Sequence, residues 1–460
     1  MSRELHSTRL ATTDENGNRV YLHPEDIKGT WKSRRKKFYW FLIGLYLVLP
    51  WVHINGKQWV KLDLTNRQFT IFGEMFYGHD GPLLIFLFLG FLFFIAFITS
   101  LWGRVWCGWG CPQTVFIDSI FRPIERLIEG KSRARAKLDA QEWNLEKIIK
   151  RSIKWALYAI VSLHIVHSFL GYFVGTHYLL EISTQSPLKH PELFVTMLVM
   201  TAITLFDFGW FREQFCIIAC PYGRFQSVLM DESSLVVAYD ANRGEPRRGV
   251  AETKESEGDC INCFRCVKAC PTGIDIRRGT QLECIACTMC IDACDEIMTR
   301  LKRPKGLVRY ASQSELEGKK RKVPIRTYLY GIIFVSLIFG LAFSLDYRRG
   351  LGLQFLRAQE EPYRMVGETT VINHFDLKVN YYHSNGHRLE ILAPKNIEIV
   401  SPMLPLIIKE ANSKLVVFFK FDKNLLVNGE SIITLKAMLY KKQQLIEEKT
   451  IEVKLVGPFK

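Results

Sequence analysis

Apolar segments alternate with basic clusters along the first three quarters of the chain. Five of these segments are candidate membrane helices, because each is apolar over roughly the length that a bilayer requires. Lys and Arg concentrate at alternate ends of the segments, which predicts that those ends face the cytoplasm. The predicted spans are Phe38 to about Ile54, Pro82 to about Trp102, Ser152 to Val174, Leu193 to Trp210 and about Ile325 to Leu345.

A different pattern begins at about residue 365 and continues to 460. Apolar and polar residues alternate in runs that begin at Phe375, Lys414 and Thr450, and turn signals stand at Asn385-Gly386 and Asn428-Gly429. Such alternation predicts β-strands that are buried on one face. About seven short strands without a cysteine predict an immunoglobulin-like β-sandwich that lacks an inter-sheet disulfide. Since five spans precede it, we expect this domain outside the cytoplasm, in contact with a partner.

The net charge of +15 changes the interpretation of the basic clusters only slightly. A basic chain can bind nucleic acid, but here the excess Lys and Arg lie beside apolar segments, so membrane orientation explains them and we expect no nucleic-acid partner. Basic residues at helical spacing within 113–151 predict an interfacial amphipathic helix on the inner leaflet. Residues 1–30 are polar, and we expect no cleavable signal peptide.

Eight of the twelve cysteines form two copies of one metal-ligand pattern. Cys-x-x-Cys-x-x-Cys-x-x-x-Cys suits a cubane [4Fe-4S] cluster, because three thiolates of a tight loop hold one cluster and the fourth crosses to the other. Structural zinc does not need a third cysteine at the same spacing twice over, and a disulfide framework does not suit the cytoplasm. The predicted ligands are Cys260, Cys263, Cys266 and Cys294 for cluster one and Cys284, Cys287, Cys290 and Cys270 for cluster two.

The remaining four cysteines form a second repeat, Cys107-x-x-x-Cys111-Pro112 and Cys216-x-x-x-Cys220-Pro221. Each copy follows a span that enters the cytoplasm, and positions four apart share one face of a helix. Paired soft thiolates in a reducing compartment bind Cu(I), bind an iron–sulfur cluster or undergo reversible dithiol chemistry. These three alternatives remain open at this point.

Two histidines inside the third predicted span are weaker candidates for metal binding. His164 and His167 lie three residues apart, and ionisable residues in a span are often functional. Haem ligation would need a histidine at matching depth on another span, which only His53 loosely offers. We therefore favour a histidine with satisfied hydrogen bonds, or a copper-handling role, over haem.

The order of these features resembles the CcoG/FixG/RdxA family of cytochrome c oxidase accessory proteins over essentially the entire chain. The resemblance implies a membrane-bound polyferredoxin of a Gram-negative inner membrane, with its N-terminus and clusters cytoplasmic and its C-terminal domain periplasmic. It also implies Cu(II) reduction for a cbb-type cytochrome c oxidase or its copper-delivery assembly factors, with Cys107, Cys111, Cys216 and Cys220 as copper-related thiols. The electron donor is not implied.

We therefore predict a mixed membrane protein with about five transmembrane α-helices, an inserted ferredoxin-like two-cluster domain and a C-terminal immunoglobulin-like β-sandwich. Its function would be cupric reductase activity in oxidase assembly. The alternatives are a quinol-linked carrier of a nitrate or nitrous oxide reductase system, whose membrane ferredoxins share similar cysteine pairs, and a scaffold with structural clusters only. The predicted boundaries are an arm at 1–37, a membrane domain at 38–230, the ferredoxin domain at 231–305, a basic linker and fifth span at 306–345, and the sandwich at 346–460.

Overall fold

The computed structural model divides the chain into two compact units, Met1–Ile338 and Phe339–Lys460. It describes residues 12–13, 16, 18–54, 57–64, 68–77, 81–250, 253, 256–347, 351–357, 361–381, 386–408 and 412–458. The helices within these residues are α1 Thr30–Val48, α2 Gly81–Trp102, α3 Val105–Trp109, α4 Pro112–Phe116, α5 Arg122–Glu129, α6 Ser132–Ala140, α7 Leu145–Val174, α8 Thr176–Ser183, α9 Pro191–Thr204, α10 Pro221–Leu229, α11 Ala241–Gly244, α12 Arg265–Lys268, α13 Met289–Arg300, α14 Gln313–Leu316 and α15 Ile325–Tyr347.

Four helices in the described part of the chain are long and apolar enough to cross a membrane. They correspond to the second, third, fourth and fifth predicted spans. α7 begins ahead of the predicted Ser152, because the Asn144 side chain caps it by accepting a hydrogen bond from the Lys147 backbone. The four spanning segments are Leu83–Trp102, Leu145–Val174, Pro191–Phe211, which includes a π-helical end, and Ile325–Leu345.

The first predicted span, Phe38 to Ile54, differs most from the structure. α1 begins inside the basic cluster and ends at Val48, and a 3-10 turn then leads into a short strand. Five of its first eight residues are Lys or Arg, so its apolar part is short and it is not among the four spanning helices. α1 nevertheless packs along α7, where the Tyr46 hydroxyl donates to the Ile165 carbonyl at 2.7 Å. A fifth span therefore remains a prediction.

The single amphipathic helix predicted for residues 113–151 is wrong. The structure has α4 with a π-helical continuation, then α5 and α6, and Gly130 ends α5 in the left-handed region at φ 89°. The charged residues are not all directed to lipid headgroups. Glu125 accepts from Arg135 at 2.9 Å and from Arg212 at 3.1 Å, and all three side chains are almost fully buried. Helical periodicity cannot distinguish a cation that faces lipid from one that pairs with a buried carboxylate.

Short strands pair at three places in the first unit. β3, β4 and β5 form an antiparallel sheet between α1 and α2, and β6 pairs with β7 across the ferredoxin segment. The Gln58 side chain, on β2, connects the paired strands β1 and β2 to α7 by donating to the Gly171 carbonyl at 3.0 Å. The strands are β1 His53–Ile54, β2 Lys57–Gln58, β3 Val60–Asp63, β4 Gln68–Ile71, β5 Glu74–Tyr77, β6 Val236–Tyr239 and β7 Val308–Ala311.

The N-terminal arm docks on the ferredoxin segment. The carboxylate of Asp292, on α13, accepts hydrogen bonds from the backbone amides of Trp31 at 3.1 Å and Lys32 at 2.7 Å. It therefore caps the first turn of α1 from a distant part of the sequence. Gly29 is required at this contact, because a side chain there would occupy the position of the Asp292 carboxylate.

The second unit consists of two antiparallel sheets that share one apolar core. One sheet has the order β12-β14-β10-β8, with β9 also paired to β10, and the other has the order β13-β11-β15-β16. Asn428 and Gly429 both have positive φ at the predicted turn, whereas Asn385 lies outside the described residues. The β-rich C-terminal region is confirmed. The strands are β8 Gly352–Arg357, β9 Arg364–Val366, β10 Thr370–Asn380, β11 His387–Leu392, β12 Ile397–Val400, β13 Leu406–Ile408, β14 Asn412–Asp422, β15 Glu430–Lys441 and β16 Gln444–Val456.

Candidate functional site: two adjoining groups of cysteines

The two ferredoxin loops repeat the same backbone conformation. Asn262 and Phe264 have positive φ in the first loop, and Ala286 and Thr288 have positive φ at the equivalent positions of the second. A left-handed non-glycine residue is unfavourable, and two per loop at matched positions are typical of a functional constraint. Each loop then leads directly into a helix, α12 or α13. The sequence repeat is thus also a repeat of loop geometry.

The first group of thiols comprises Cys260, Cys263, Cys266 and Cys294, whose assignment as the ligands of cluster one stays a prediction. Burial raises the pKa of Cys294 to about 12, and the nearby thiols of Cys260 and Cys263 raise it further. Burial likewise raises the pKa of Cys266 to about 12, with Cys294 and Cys263 among its neighbours. The fourth cysteine of the second motif therefore lies beside the first loop, as the crossover rule predicts.

The second group gathers around a small cavity. Its lining includes Ile274 on the apolar wall and five cysteines, which are Cys270, Cys284, Cys287 and Cys290 together with Cys266 of the first group. Burial raises the pKa of Cys284 to about 12, and the thiols of Cys270 and Cys287 add to this effect. Buried thiols with raised pKa values form thiolates only beside a compensating positive charge, which a bound iron–sulfur cluster supplies. The donor set and the apolar wall therefore fit a cluster, and no cysteine forms a disulfide.

The two C-x-x-x-C-P motifs do not form one helical turn each, as their spacing suggested. Cys107 lies in α3, but Cys111 stands in extended backbone as the N-cap of α4, with Pro112 as its first residue. Cys220 caps α10 in the same way, ahead of Pro221. Proline is favourable at the first helical position, so in each motif it starts a new helix behind the second cysteine. The thiol of Cys111 also receives hydrogen bonds from the backbone amides of α4, which lower its pKa against the larger raising effect of burial.

The structure brings the four thiols of these motifs together. Burial raises the pKa of Cys107 to about 12, and its neighbours include Cys111 and Cys220. Burial also raises the pKa of Cys216, with Cys111, Cys107 and Cys220 among its neighbours. No three His, Cys, Asp or Glu side chains converge closely enough for a single metal ion anywhere in the described residues. The four thiols are therefore neighbours without forming a closed single-ion site.

The loop of cluster two rests directly on this second group of thiols. Cys107 and Cys216 pack against an apolar cluster that contains Ile285 and Cys287. Gly108 permits this contact, because a Cβ atom there would lie 2.6 Å from the carbonyl oxygens of Ile285 and Ala286. The second group of cysteines is thus packed against the loop that carries the ligands of cluster two.

Two buried arginines, Arg35 in α1 and Arg104 just before α3, hold the same loop. The Arg104 guanidinium donates to the carbonyls of Leu282 and Cys284, the latter at 3.0 Å. The Arg35 guanidinium donates to the Cys287 carbonyl and to the Asp118 carboxylate, the latter at 2.8 Å. The sequence pattern did not identify either arginine as a functional residue. Only Arg104 has a local signal in the sequence, which is its position three residues before Cys107. A buried cation beside thiols stabilises their negative charge.

The predicted histidines do not join these sites. His164 is exposed on α7, and the His167 ring lies 3.1 Å from the Ser183 hydroxyl. His53 lies instead beside His177, with their ring centroids 4.9 Å apart. The structure therefore does not bring His164 and His167 to His53, the arrangement that haem ligation required.

Comparisons with known proteins agree with the arrangement of cysteines. Residues 211–313, which hold ten of the cysteines, match a family described as 4Fe-4S dicluster domain, and residues 83–133, which hold Cys107 and Cys111, match a 4Fe-4S binding domain. The chain is 36% identical over 395 residues to Protein RdxA of Cereibacter sphaeroides, covering 81% of this chain and 82% of that protein. It is 34% identical over 380 residues to Protein RdxB of the same organism, covering 78% of each. It is 39% identical over 304 residues to Nitrogen fixation protein FixG of Rhizobium meliloti, covering 62% of this chain and 56% of FixG.

Proposed function

The chain belongs to the CcoG/FixG/RdxA family of membrane-associated 4Fe-4S electron-transfer proteins, and from this premise we propose that it reduces Cu(II) to Cu(I). The substrate copper binds at the thiols of Cys107, Cys111, Cys216 and Cys220. The product serves assembly of a cbb-type cytochrome c oxidase, directly or through copper-delivery factors. The eight predicted ferredoxin cysteines hold two [4Fe-4S] clusters, with four cysteines for each. Each cluster, when bound, accepts and donates one electron.

The contact between the two groups of cysteines is the observation that carries this proposal. Cys107 and Cys216 pack against the loop that bears Cys287, and Cys284 is among the thiols that act on the pKa of Cys107. Soft thiolates stabilise Cu(I) more than Cu(II), so a copper ion bound there is easier to reduce.

The proposed arrangement in the cell follows the charge pattern. The N-terminus and both clusters lie in the cytoplasm, α1 is a fifth crossing of the inner membrane, and the C-terminal sheets lie in the periplasm as an immunoglobulin-like sandwich. The basic start of α1 and the basic residues ahead of α15 support this orientation. The C-terminal unit would contact the oxidase or its assembly factors.

A pair of cysteine variants tests the assignment of copper. Cys216→Ser combined with Cys220→Ser should abolish binding and reduction of Cu(II) by the pre-reduced protein, while iron content and the visible spectrum of the clusters stay unchanged. Cys263→Ser is the contrasting variant, since it should lose iron instead. Loss of iron in the double variant would show that these thiols ligate a further cluster, and copper would be the wrong metal.

The second candidate function is electron transfer to a nitrate or nitrous oxide type reductase. The match of residues 83–133 to a 4Fe-4S binding domain favours it, because Cys107 and Cys111 could then ligate iron. Quinol-dependent reduction of the protein without any formation of Cu(I) would favour this alternative.

A further inference from the structure

A large apolar cavity lies between four helices of the membrane domain. It has a volume of about 540 Å³, and α1, α4, α7 and α9 contribute Ile43, Phe116, Val166 and Met200 to its wall. This volume is within the range of small-molecule sites, which are mostly apolar with few polar groups. The polar lining side chains are Tyr46 and Thr204.

The cavity opens toward the lipid-facing side of the helices. Ile203 and Phe169 line it and are 61% and 39% exposed. Both residues belong to helices that are long and apolar enough to span a membrane, so their exposed surface faces lipid. A ligand would therefore enter from the bilayer, which selects for an apolar molecule.

The other end of the cavity adjoins the thiol site. Pro112 lines the cavity and directly follows Cys111. Phe208, on the π-helical end of the α9 segment, also lines it and directly follows Asp207. Cys111 and Asp207 therefore each lie one residue behind the cavity wall, although neither side chain lines the cavity.

Asp207 is unusual because it is an ionisable residue within a spanning segment. The side-chain partner of its carboxylate is an amide, the buried Gln113, which donates to Asp207 at 2.9 Å. Gln113 also donates to the Arg212 carbonyl at 3.1 Å, so its orientation is fixed. An amide partner leaves the carboxylate able to accept a proton.

We propose that this cavity binds a membrane quinol and that Asp207 accepts a proton from it. The quinol releases two electrons and the protons of its two hydroxyl groups and becomes the quinone, and two Cu(II) ions at the thiol site become two Cu(I) ions. One proton passes to the Asp207 carboxylate and the other to water. This inference rests on the proposed function for its electron acceptor, and it supplies the class of electron donor.

A phospholipid acyl chain is the competing occupant. It would fill an apolar cavity equally well, but it would have no use for a carboxylate–amide pair or for an adjoining thiol. A quinol has an apolar tail for the lipid-facing mouth and two hydroxyl groups for the polar end. An intramembrane carboxylate and a thiol, each one residue behind the cavity wall, therefore favour the quinol.

Binding is tested with the full-length protein in nanodiscs and a photoreactive azido-ubiquinone. We expect cross-links in the wall residues of α7 and α9, mapped by mass spectrometry. Thr204→Trp fills the cavity and should lower labelling about tenfold or more, a loss of at least about 1.4 kcal/mol in binding. Val199→Trp is the matched control, because Val199 lies on the same helix and is exposed without lining the cavity.

The proton step is tested by Asp207→Asn, which keeps an acceptor for Gln113 but removes the carboxylate. Labelling should persist, while quinol-driven Cu(II) reduction should fall about a hundredfold or more. Asp207→Glu should restore part of the rate. Dithionite-driven Cu(II) reduction should stay unchanged in both variants, which separates this inference from the proposed copper chemistry.

The outcomes distinguish the two proposals. Unchanged labelling in Thr204→Trp, or recovery of phospholipid alone from the purified protein, would overturn the quinol site even if dithionite still drives copper reduction. Labelling at the cavity with quinol oxidation but without copper reduction by either donor would keep the quinol site and overturn the copper function. An unchanged quinol-driven rate in Asp207→Asn would remove the role of this carboxylate.

Discussion

Replacing Gly108 by Ala should separate the two groups of cysteines. A Cβ atom at this position would lie 2.6 Å from the carbonyl oxygens of Ile285 and Ala286, whereas ordinary contact begins at 3.4 Å. The difference, 3.4 minus 2.6, is about 0.8 Å. The Tyr39 hydroxyl donates to the Gly108 carbonyl and fixes α3 from the other side. The loop that carries Cys287 must therefore move away from the thiol site.

The size of the effect follows from packing. Overfilling a close-packed contact costs about 1–3 kcal/mol. Alanine in a helix gains about 0.8–1.0 kcal/mol over glycine, which offsets part of that cost. Gly44→Ala is the matched control, because Gly44 lies in α1 with no other atoms within 4 Å of the new methyl group. The difference in unfolding free energy between the two variants should therefore isolate the clash, at about 1–3 kcal/mol.

The assay combines stability with electron transfer. We expect Gly108→Ala to keep its full iron content, to unfold earlier in denaturant than Gly44→Ala, and to reduce Cu(II) more slowly after dithionite treatment. A misplacement near 1 Å can lower a rate by up to about a hundredfold. If both variants reduce copper at the wild-type rate and unfold alike, the contact at Gly108 does not couple the two sites and the reasoning fails.

Three further predictions concern the clusters, the buried ion pairs and the topology. Cys263→Ser and Cys287→Ser should each lower the iron per protein to about half, because each removes one ligand of one cluster; zinc in place of iron in the purified protein would contradict the assignment. Glu125→Gln should destabilise the protein by about 3–5 kcal/mol, because it leaves two buried arginines without their carboxylate. The arginines lower the Glu125 pKa from 4.5 to about 2 against the opposing effect of burial, so this stabilisation is complete above about pH 4.5 and is lost as the pH falls toward 2, which thermal unfolding against pH would measure. Reporter fusions should place Lys322 inside and Gly367 outside, and a cytoplasmic Gly367 would overturn the predicted number of spans.

The two groups of cysteines could be predicted from the sequence because the cysteines of each motif are only a few residues apart. Three ligands within seven residues define a loop, and the repeat of that loop also indicates which fourth cysteine crosses over. The second repeat indicated that both cysteine pairs follow spans that enter the cytoplasm, and the structure then shows that the four thiols are neighbours. The helix caps at Cys111 and Cys220 were not predicted, although Pro112 and Pro221 are the signal that helices begin there.

Other features depend on residues that are distant in the sequence. The partners of Arg35 and Arg104 are backbone carbonyls of the second ferredoxin loop, which no local pattern identifies. Basic residues at helical spacing predicted an interfacial helix, but in the structure Arg135 pairs with the buried Glu125 in a packed region. Strand alternation predicted the β-rich C-terminal region, but alternation does not report the order of strands in a sheet. The cavity beside Pro112 follows only from how four helices pack.

The cap that Asp292 provides for α1 has a consequence for the order of biogenesis. The first turn of α1 is synthesised early, but its amides receive their acceptor only after α13 has been made and has folded beside the cluster loops. A newly made chain in which α13 has not yet folded would thus keep the first turn of α1 uncapped. Folding of α13 would then be the event that completes this end of α1, and cellular proteases could distinguish finished from unfinished molecules by it.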